Sequence, residues 1–285
     1  ADPEVREWNR AQLSYNKEGI TATVGRQRII LDNARFVGNV GWRANEQTYD
    51  GASLKLVNGP VEFFFAYIDQ VNSILPALDM DTNSKLFNLG YSTPIGKISG
   101  YGYLLDDQDR DIQTDTVGAR FSGKAAMDTV SFTYTAEYAA QEKEANAGNN
   151  DAEYMALELG VEAKGATFAI GNETLGSDDG AYGFQTPLAT KHAFNGWADM
   201  FLATPADGLS DTYIKVGGNA KGVKLLAVYH DFKADEGSND YGTELDLLAV
   251  KKFGNYTVGA KYASYKAEDV KVDDDKVWLW VQTKF

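Results

Sequence analysis

The chain has 285 residues and a formal net charge of −14, with 44% hydrophobic residues, 24% charged residues, two His and no Cys. So acidic a surface does not suit nucleic acid, whose phosphates need cations, and the missing thiols exclude disulfides, thiolate zinc sites and thiol catalysis. No stretch approaches the ~18 apolar residues of a spanning helix, so the chain is either soluble or a transmembrane β-barrel.

In chain order, period-two alternation predicts roughly 15 strands. They lie near 8–15, 20–28, 49–57, 61–69, 85–92, 97–105, 114–122, 129–140, 153–163, 166–174, 211–219, 223–232, 241–252, 256–265 and 276–285. Val130, Phe132, Tyr134, Ala136 and Tyr138 share one face, opposite Ser131, Thr133, Thr135 and Glu137; Met155, Leu157, Leu159 and Val161 alternate with Glu158 and Glu162. Leu225–Val228 is ambiguous, and Gly25-Arg26-Gln27-Arg28 suggests a bulge.

Two kinds of connection alternate. Short turns such as Glu18-Gly19, Gly59-Pro60, Lys164-Gly165 and Gly254-Asn255 supply Gly and Asn where positive φ is needed. Long polar connections cover 31–48, 70–84, 106–113, 141–152, 175–210, 233–240 and 266–275. This asymmetry is that of outer-membrane barrels, with short periplasmic turns and longer outer loops.

At this strand number the interior is too wide for side chains to fill. The apolar face must then meet lipid, and closure is required because hydrocarbon satisfies no backbone edge. The expected fold is all-β, a closed antiparallel transmembrane barrel over 1–285. Tyr15, Tyr91, Tyr256 and Trp278 are expected in interfacial girdles. Strand parity predicts that one to three N-terminal strands precede Ala1, giving about 18 strands, or about 16, in the complete barrel.

Three segments carry a family resemblance: Gly25–Arg28, Gly41-Trp42-Arg43-Ala44-Asn45-Glu46-Gln47-Thr48-Tyr49-Asp50, and the stretch from Gly183-Phe184-Gln185-Thr186-Pro187 to Gly196-Trp197-Ala198-Asp199. They resemble the alginate-export type of outer-membrane barrels of Gram-negative bacteria. The resemblance implies a bacterial outer-membrane location and a barrel of about 18 strands. It also implies partners among lipid, lipopolysaccharide and acidic sugars, and a monomer in preference to a trimer.

Alternation places Arg10, Lys55, Arg120, Lys215, Lys261, Glu62, Glu137, Glu158, Glu162, Glu244 and Asp246 on the pore face, with Arg26 and Arg28. These charges either set a transverse field across a wet constriction or pair with one another along the wall. The 175–210 connection is expected to constrict or cover the pore, with a short helix opening at Thr186-Pro187 and running to Phe194. The alternative is a packed surface loop. Arg35, Trp42, Arg43, Phe184, Lys191, His192 and Trp197 could build a basic, aromatic entrance for an acidic sugar, or pack within their loops. The acidic runs 106–111 and 273–275 read as solvated loop, because the calcium-loop match at Asp79–Asn83 fails at Ser84 and Gly90.

Neither G-x-S-x-G nor H-E-x-x-H nor a phosphate loop occurs, leaving only a weak Ser177 or Ser210 pairing with His192. The expectation is a porin for small hydrophilic solutes, not an enzyme, with no cofactor and no metal. The alternatives are a dedicated channel for an acidic polysaccharide and a structural or adhesive barrel with a closed pore.

Overall fold

Alternating side chains and two-residue turns fold into every expected strand in the computed structural model, which describes residues 8–42, 45–146 and 148–283. Hairpins join β1 (Ala11–Lys17) to β2 (Ile20–Gln27), β3 (Thr48–Asn58) to β4 (Val61–Asn72), and β5 (Met80–Thr93) to β6 (Gly96–Asp107). The next are β7 (Ile112–Met127) with β8 (Val130–Ala145), and β9 (Gly148–Ala163) with β10 (Ala166–Leu175). The short β11 (Ser177–Asp178) and β12 (Tyr182–Gly183) form a separate ribbon. Then come β13 (Leu209–Ala220) with β14 (Val223–Lys233), β15 (Asp240–Phe253) with β16 (Tyr256–Lys266), and β17 (Asp274–Thr283).

Apart from that ribbon, the strands form one 15-stranded sheet in which each pairs with its sequence neighbour, β10 being followed by β13. Every hairpin turn has two residues. Glu18-Gly19, Lys164-Gly165 and Lys221-Gly222 have positive φ at both positions, the turn whose twist matches that of the flanking strands.

The two faces of the sheet differ as lipid requires. Leu13, Leu159 and Leu279 are 75%, 66% and 79% exposed on the apolar face, whereas Ser84, Glu137, Asp211 and Glu244 on the other face are buried. Water would not tolerate the first arrangement along so many strands, but hydrocarbon does.

The chain divides into two compact units: Ala1–Phe121 with Glu137–Glu153 and Phe184–Lys191, and Ser122–Ala136 with Tyr154–Gly183 and His192–Phe285. In each, the core lies on the polar side of the strands and is built by infolded loop. In the first, Phe36 packs 5.2 Å from Tyr101 and edge-on to Phe184 at 5.9 Å, beside buried Val37 and Leu188. In the second, Phe201 packs on Phe232 at 4.8 Å and Tyr241 at 5.6 Å.

Several expectations change. The strands extend beyond their predicted outer ends, so the connections at 106–113 and 141–152 shrink to a few residues. Polar, charged strand ends weaken the alternation there without weakening the ladder. Instead of a helix after Thr186, there is one turn closed by Ala189 N–H to Thr186 O, then a 3₁₀ turn at Lys191–Ala193. Carbonyls a helix would use are taken from outside it, Leu188 O accepting from Gly38 N and Gln47 Nε2.

Pairing of β2 runs in register through Gly25 and Arg26, and the irregularity sits across from them at Asp50/Gly51 of β3. Tyr15, Tyr91 and Tyr256 are exposed near the two-residue turns, as girdle residues are, but Trp278 faces the polar side beside His192. In β14 the ambiguous run resolves with Leu225 exposed and Val228 buried.

Candidate functional site

In the first unit, residues 28–42 leave β2 and fold against the polar face of the strands, and residues 45–47 lead into β3. Two charge clusters hold them. Arg28 donates twice to Glu46, Nε and Nη2 each at 2.7 Å, and Asn39 and Asn9 donate to the same carboxylate at 2.7 and 2.9 Å. Burial opposes ionisation of Glu46, but the donors from Arg28, Asn39 and Asn9 outweigh it and keep its carboxyl below the usual range. Asp32 reaches β5 and β6, accepting from Asn88 Nδ2 at 2.6 Å and Ser99 Oγ at 2.8 Å.

Segment 184–191 lies on this loop. Gly38 N donates to Leu188 O, Thr190 N donates to Ala34 O, and Gln47 Nε2 bridges Gly38 O and Leu188 O at 3.0 Å each. Gly38 allows the approach, since a Cβ there would strike Thr190. Two expected entrance cations come together here. Arg35 is buried. Lys191 has no carboxylate partner among the described residues; burial, and then the charge of Arg35, lower its pKa. Phe184 is fully buried under Phe36 and is core. Trp42 is half-buried, and Arg43 lies outside the described residues.

In the second unit, segment 192–201 is hydrogen-bonded by side chains of β10, β13, β15, β16 and β17, the last through Lys276 Nζ donating to Ala198 O. Asn195 and Gly196 have φ of 53° and 84°, a turn that aims the next two N–H groups at β15. Trp197 N donates to Asp246 Oδ2 at 3.0 Å and Ala198 N to Glu244 Oε1 at 2.6 Å. Asn195 Nδ2 donates to Glu173 of β10 at 2.7 Å and Asp211 of β13 at 3.2 Å, and His230 of β14 bonds Asp211 through Nδ1 at 2.9 Å. His192 bonds Asp199 through Nδ1 at 2.7 Å and meets Lys261 Nζ of β16 through Nε2 at 3.0 Å. Lys261 also sits 4.2 Å over the Trp197 ring. His192 and Trp197 thus belong to a latch for the loop, and Glu244, Asp246 and Lys261 face that latch.

The remaining wall charges pair. Arg26 makes two 2.9 Å bonds to Asp50, and Lys55 lies 2.7 Å from Glu62, which lies 3.7 Å from Lys97. Arg120 lies 2.5 Å from Glu137, which also accepts from Tyr101. In the second unit Lys215 and Tyr213 share Glu158, and Lys124 bonds Glu162. Arg10 is exposed ahead of β1.

The acidic runs expected as solvated loop lie partly in strands, residues 106–107 in β6 and 274–275 in β17, and they are fastened to nearby groups. Asp107 pairs with Arg110 at 2.7 Å, Asp109 accepts from Asp81 N, and Asp273 accepts from Ala267 N. Among the described residues no three acidic or His side chains are placed to hold a metal.

The sequence reading missed Asp32, Glu46, Glu173, Asp199, Asp211 and His230 as loop fasteners. Asn195-Gly196 was the available signal, since that pair marks a backbone turned into positive φ.

A family model described as alginate export matches residues 9–169, more than half of the chain. Among solved structures the chain is similar to OccAB4 of Acinetobacter baumannii, with TM-score 0.73 and 16% identity over 96% of this chain and 74% of that one. It is also similar to a BenF-like porin of Pseudomonas fluorescens Pf-5, with TM-score 0.73 and 11% identity over 94% of this chain and 74% of that one. OccK2 (OpdF) of Pseudomonas aeruginosa, solved with glucuronate, has TM-score 0.70 and 10% identity over 97% of this chain and 81% of that one. No curated protein sequence matches the chain.

Proposed function

Because the chain belongs to the alginate export family of outer-membrane barrels, we propose that it is a passive channel for small hydrophilic solutes, with acidic monosaccharides among those it favours. The observation that carries this reading is Lys191, a largely buried ammonium beside Arg35 with no carboxylate partner among the described residues. An incoming carboxylate relieves the repulsion between the two cations and forms charge-assisted hydrogen bonds. The infolded loops supply the constriction, and wet polar walls supply the path. No bond is made or broken, so the chemistry asked of the protein is recognition and filtering alone.

A dedicated path for a long acidic polysaccharide is the competing reading. Such a polymer needs a continuous basic track, yet Arg26, Arg28, Lys55, Arg120 and Lys215 each have a carboxylate partner. A single cation without a carboxylate partner among the described residues, Lys191, fits a single acidic sugar better. That a similar porin was solved with glucuronate agrees with this.

Single-channel recording in planar bilayers tests both readings. The expected result is open conductance with block by glucuronate, weakened about tenfold in Lys191→Gln, the effect of losing a charged hydrogen bond of ~1.5 kcal/mol. Block by alginate oligomers that tightens steeply with chain length would overturn the small-solute reading. Absence of conductance would overturn both.

A further inference from the structure

The lipid face of β14–β17 is not uniform. Register places Ala249 of β15 directly opposite Ala260 of β16, and Leu279 of β17 beyond it. The next row towards the two-residue turns is Val223, Lys251, Val258 and Val281, one residue from each strand. The adjacent alanines leave a depression among larger side chains. Phe253, Val258, Leu279 and Val281 wall a groove of about 480 Å³ that is almost wholly apolar, within the ~300–1,000 Å³ of ordinary ligand sites.

Lys251 sits at the rim end of this groove. Its Nζ lies 5.1 Å over the Phe253 ring, and among the described residues it has no carboxylate partner. Phe253 is the last strand residue before the Gly254-Asn255 turn, so the cation stands about 10 Å from the end that short turns mark as periplasmic. A lysine on the lipid face near the rim reaches towards the headgroup layer. An anion at that level, with a hydrocarbon chain running from it along the alanine row, matches both charge and shape.

We infer that this groove is a phospholipid site of the periplasmic leaflet, with Lys251 on the headgroup phosphate and one acyl chain in the Ala249–Ala260 depression. It lies on the opposite face of the sheet from the loop clusters, so it stands whatever solute the channel carries. An acidic headgroup is preferred, because one cation serves it without competition from a lipid ammonium group.

Native mass spectrometry of the detergent-solubilised full chain, with added phosphatidylglycerol or phosphatidylcholine, tests this. The expected result is one retained phosphatidylglycerol, held about tenfold more tightly than phosphatidylcholine. Lys251→Ala should abolish the preference between the two lipids. Ala249→Leu and Ala260→Leu, which fill the groove with residues at home on a lipid face, should reduce retention of both. Ala22→Leu, on the lipid face of β2, is the control and should retain lipid as the unaltered chain does. Equal retention in the groove-filled variants and the control would overturn the proposal in favour of exchangeable annular lipid. A protein dimer that dissociates on filling the groove would overturn it in favour of a second copy of the chain.

Discussion

Arg120 and Glu137 show what a charge costs on the polar face of this sheet. The Arg120 side chain is 12% exposed and the Glu137 side chain 1%, so their ion pair, with Tyr101 donating to Glu137, replaces much of the solvation they have lost. Arg120→Leu should destabilise the protein by about 3–5 kcal/mol, the usual cost of orphaning one member of a buried pair. The double variant Arg120→Leu/Glu137→Leu should recover most of that loss in urea unfolding of the lipid-bound protein. Gly196 is constrained twice over, by φ of 84° and by Glu244, whose carboxylate a Cβ would strike. Gly196→Ala should therefore loosen the latch, read as increased open-channel noise with little change in mean conductance.

Glu46 gives a pH dependence whose sign is fixed by its surroundings. Its carboxyl pKa is lowered in the folded chain. Its contribution therefore stands in full above the unfolded value of ~4.3 and is lost as pH falls through the lower folded value. Loop behaviour should be steady from neutral pH down to about 5 and become noisy only below about 4. Glu46→Gln, which removes the anion facing Arg28, should be noisy at every pH; a quiet variant would show that the carboxylate does not fasten the loop.

At the scale of elements, strands and loops follow different rules. Strands such as β9 and β16 are specified locally, by alternation and by turns whose φ only Gly and a few other residues accept readily. Loops are specified by partners far away in the chain. Tyr49 OH donates to Gly38 O at 2.7 Å, and Asn195 reaches Glu173 and Asp211 on two strands. That is why the predicted helix after Thr186 gives way to isolated turns: its backbone groups have better partners outside the segment. Replacing residues 32–40 by a shorter Gly-Ser linker should raise conductance several-fold if this loop narrows the path. An unchanged conductance would place the limiting constriction elsewhere.

For the molecule as a whole, net charge and local charge have opposite signs. The chain carries −14 overall, with acidic clusters at strand ends and connections at 106–111 and 269–275, while Lys191, with no carboxylate partner among the described residues, places positive charge inside the first unit. Outer anions gather cations from bulk solution, and on the proposed reading Lys191 favours anions at close range. Salt screens the first effect far more than the second, because the Debye length falls from ~10 Å at 0.1 M to ~3 Å at 1 M. Reversal potentials in salt gradients should therefore show cation preference fading as salt rises, while glucuronate block persists.

By itself the sequence determined the strand count, the order of hairpins, the face that meets lipid and the family, since each follows from side-chain period, turn chemistry or a short motif read along the chain. It also located the cations Arg35 and Lys191 and the aromatic Trp197, but not what they do. Only the tertiary structure decided that Phe184 is core, that Trp278 turns away from lipid, and that most wall charges are paired. It alone showed that Glu173, Asp211, Glu244 and Asp246 fasten a loop. The reason is physical: alternation reports which face a side chain takes, whereas burial and pairing depend on what folds onto that face from a hundred residues away.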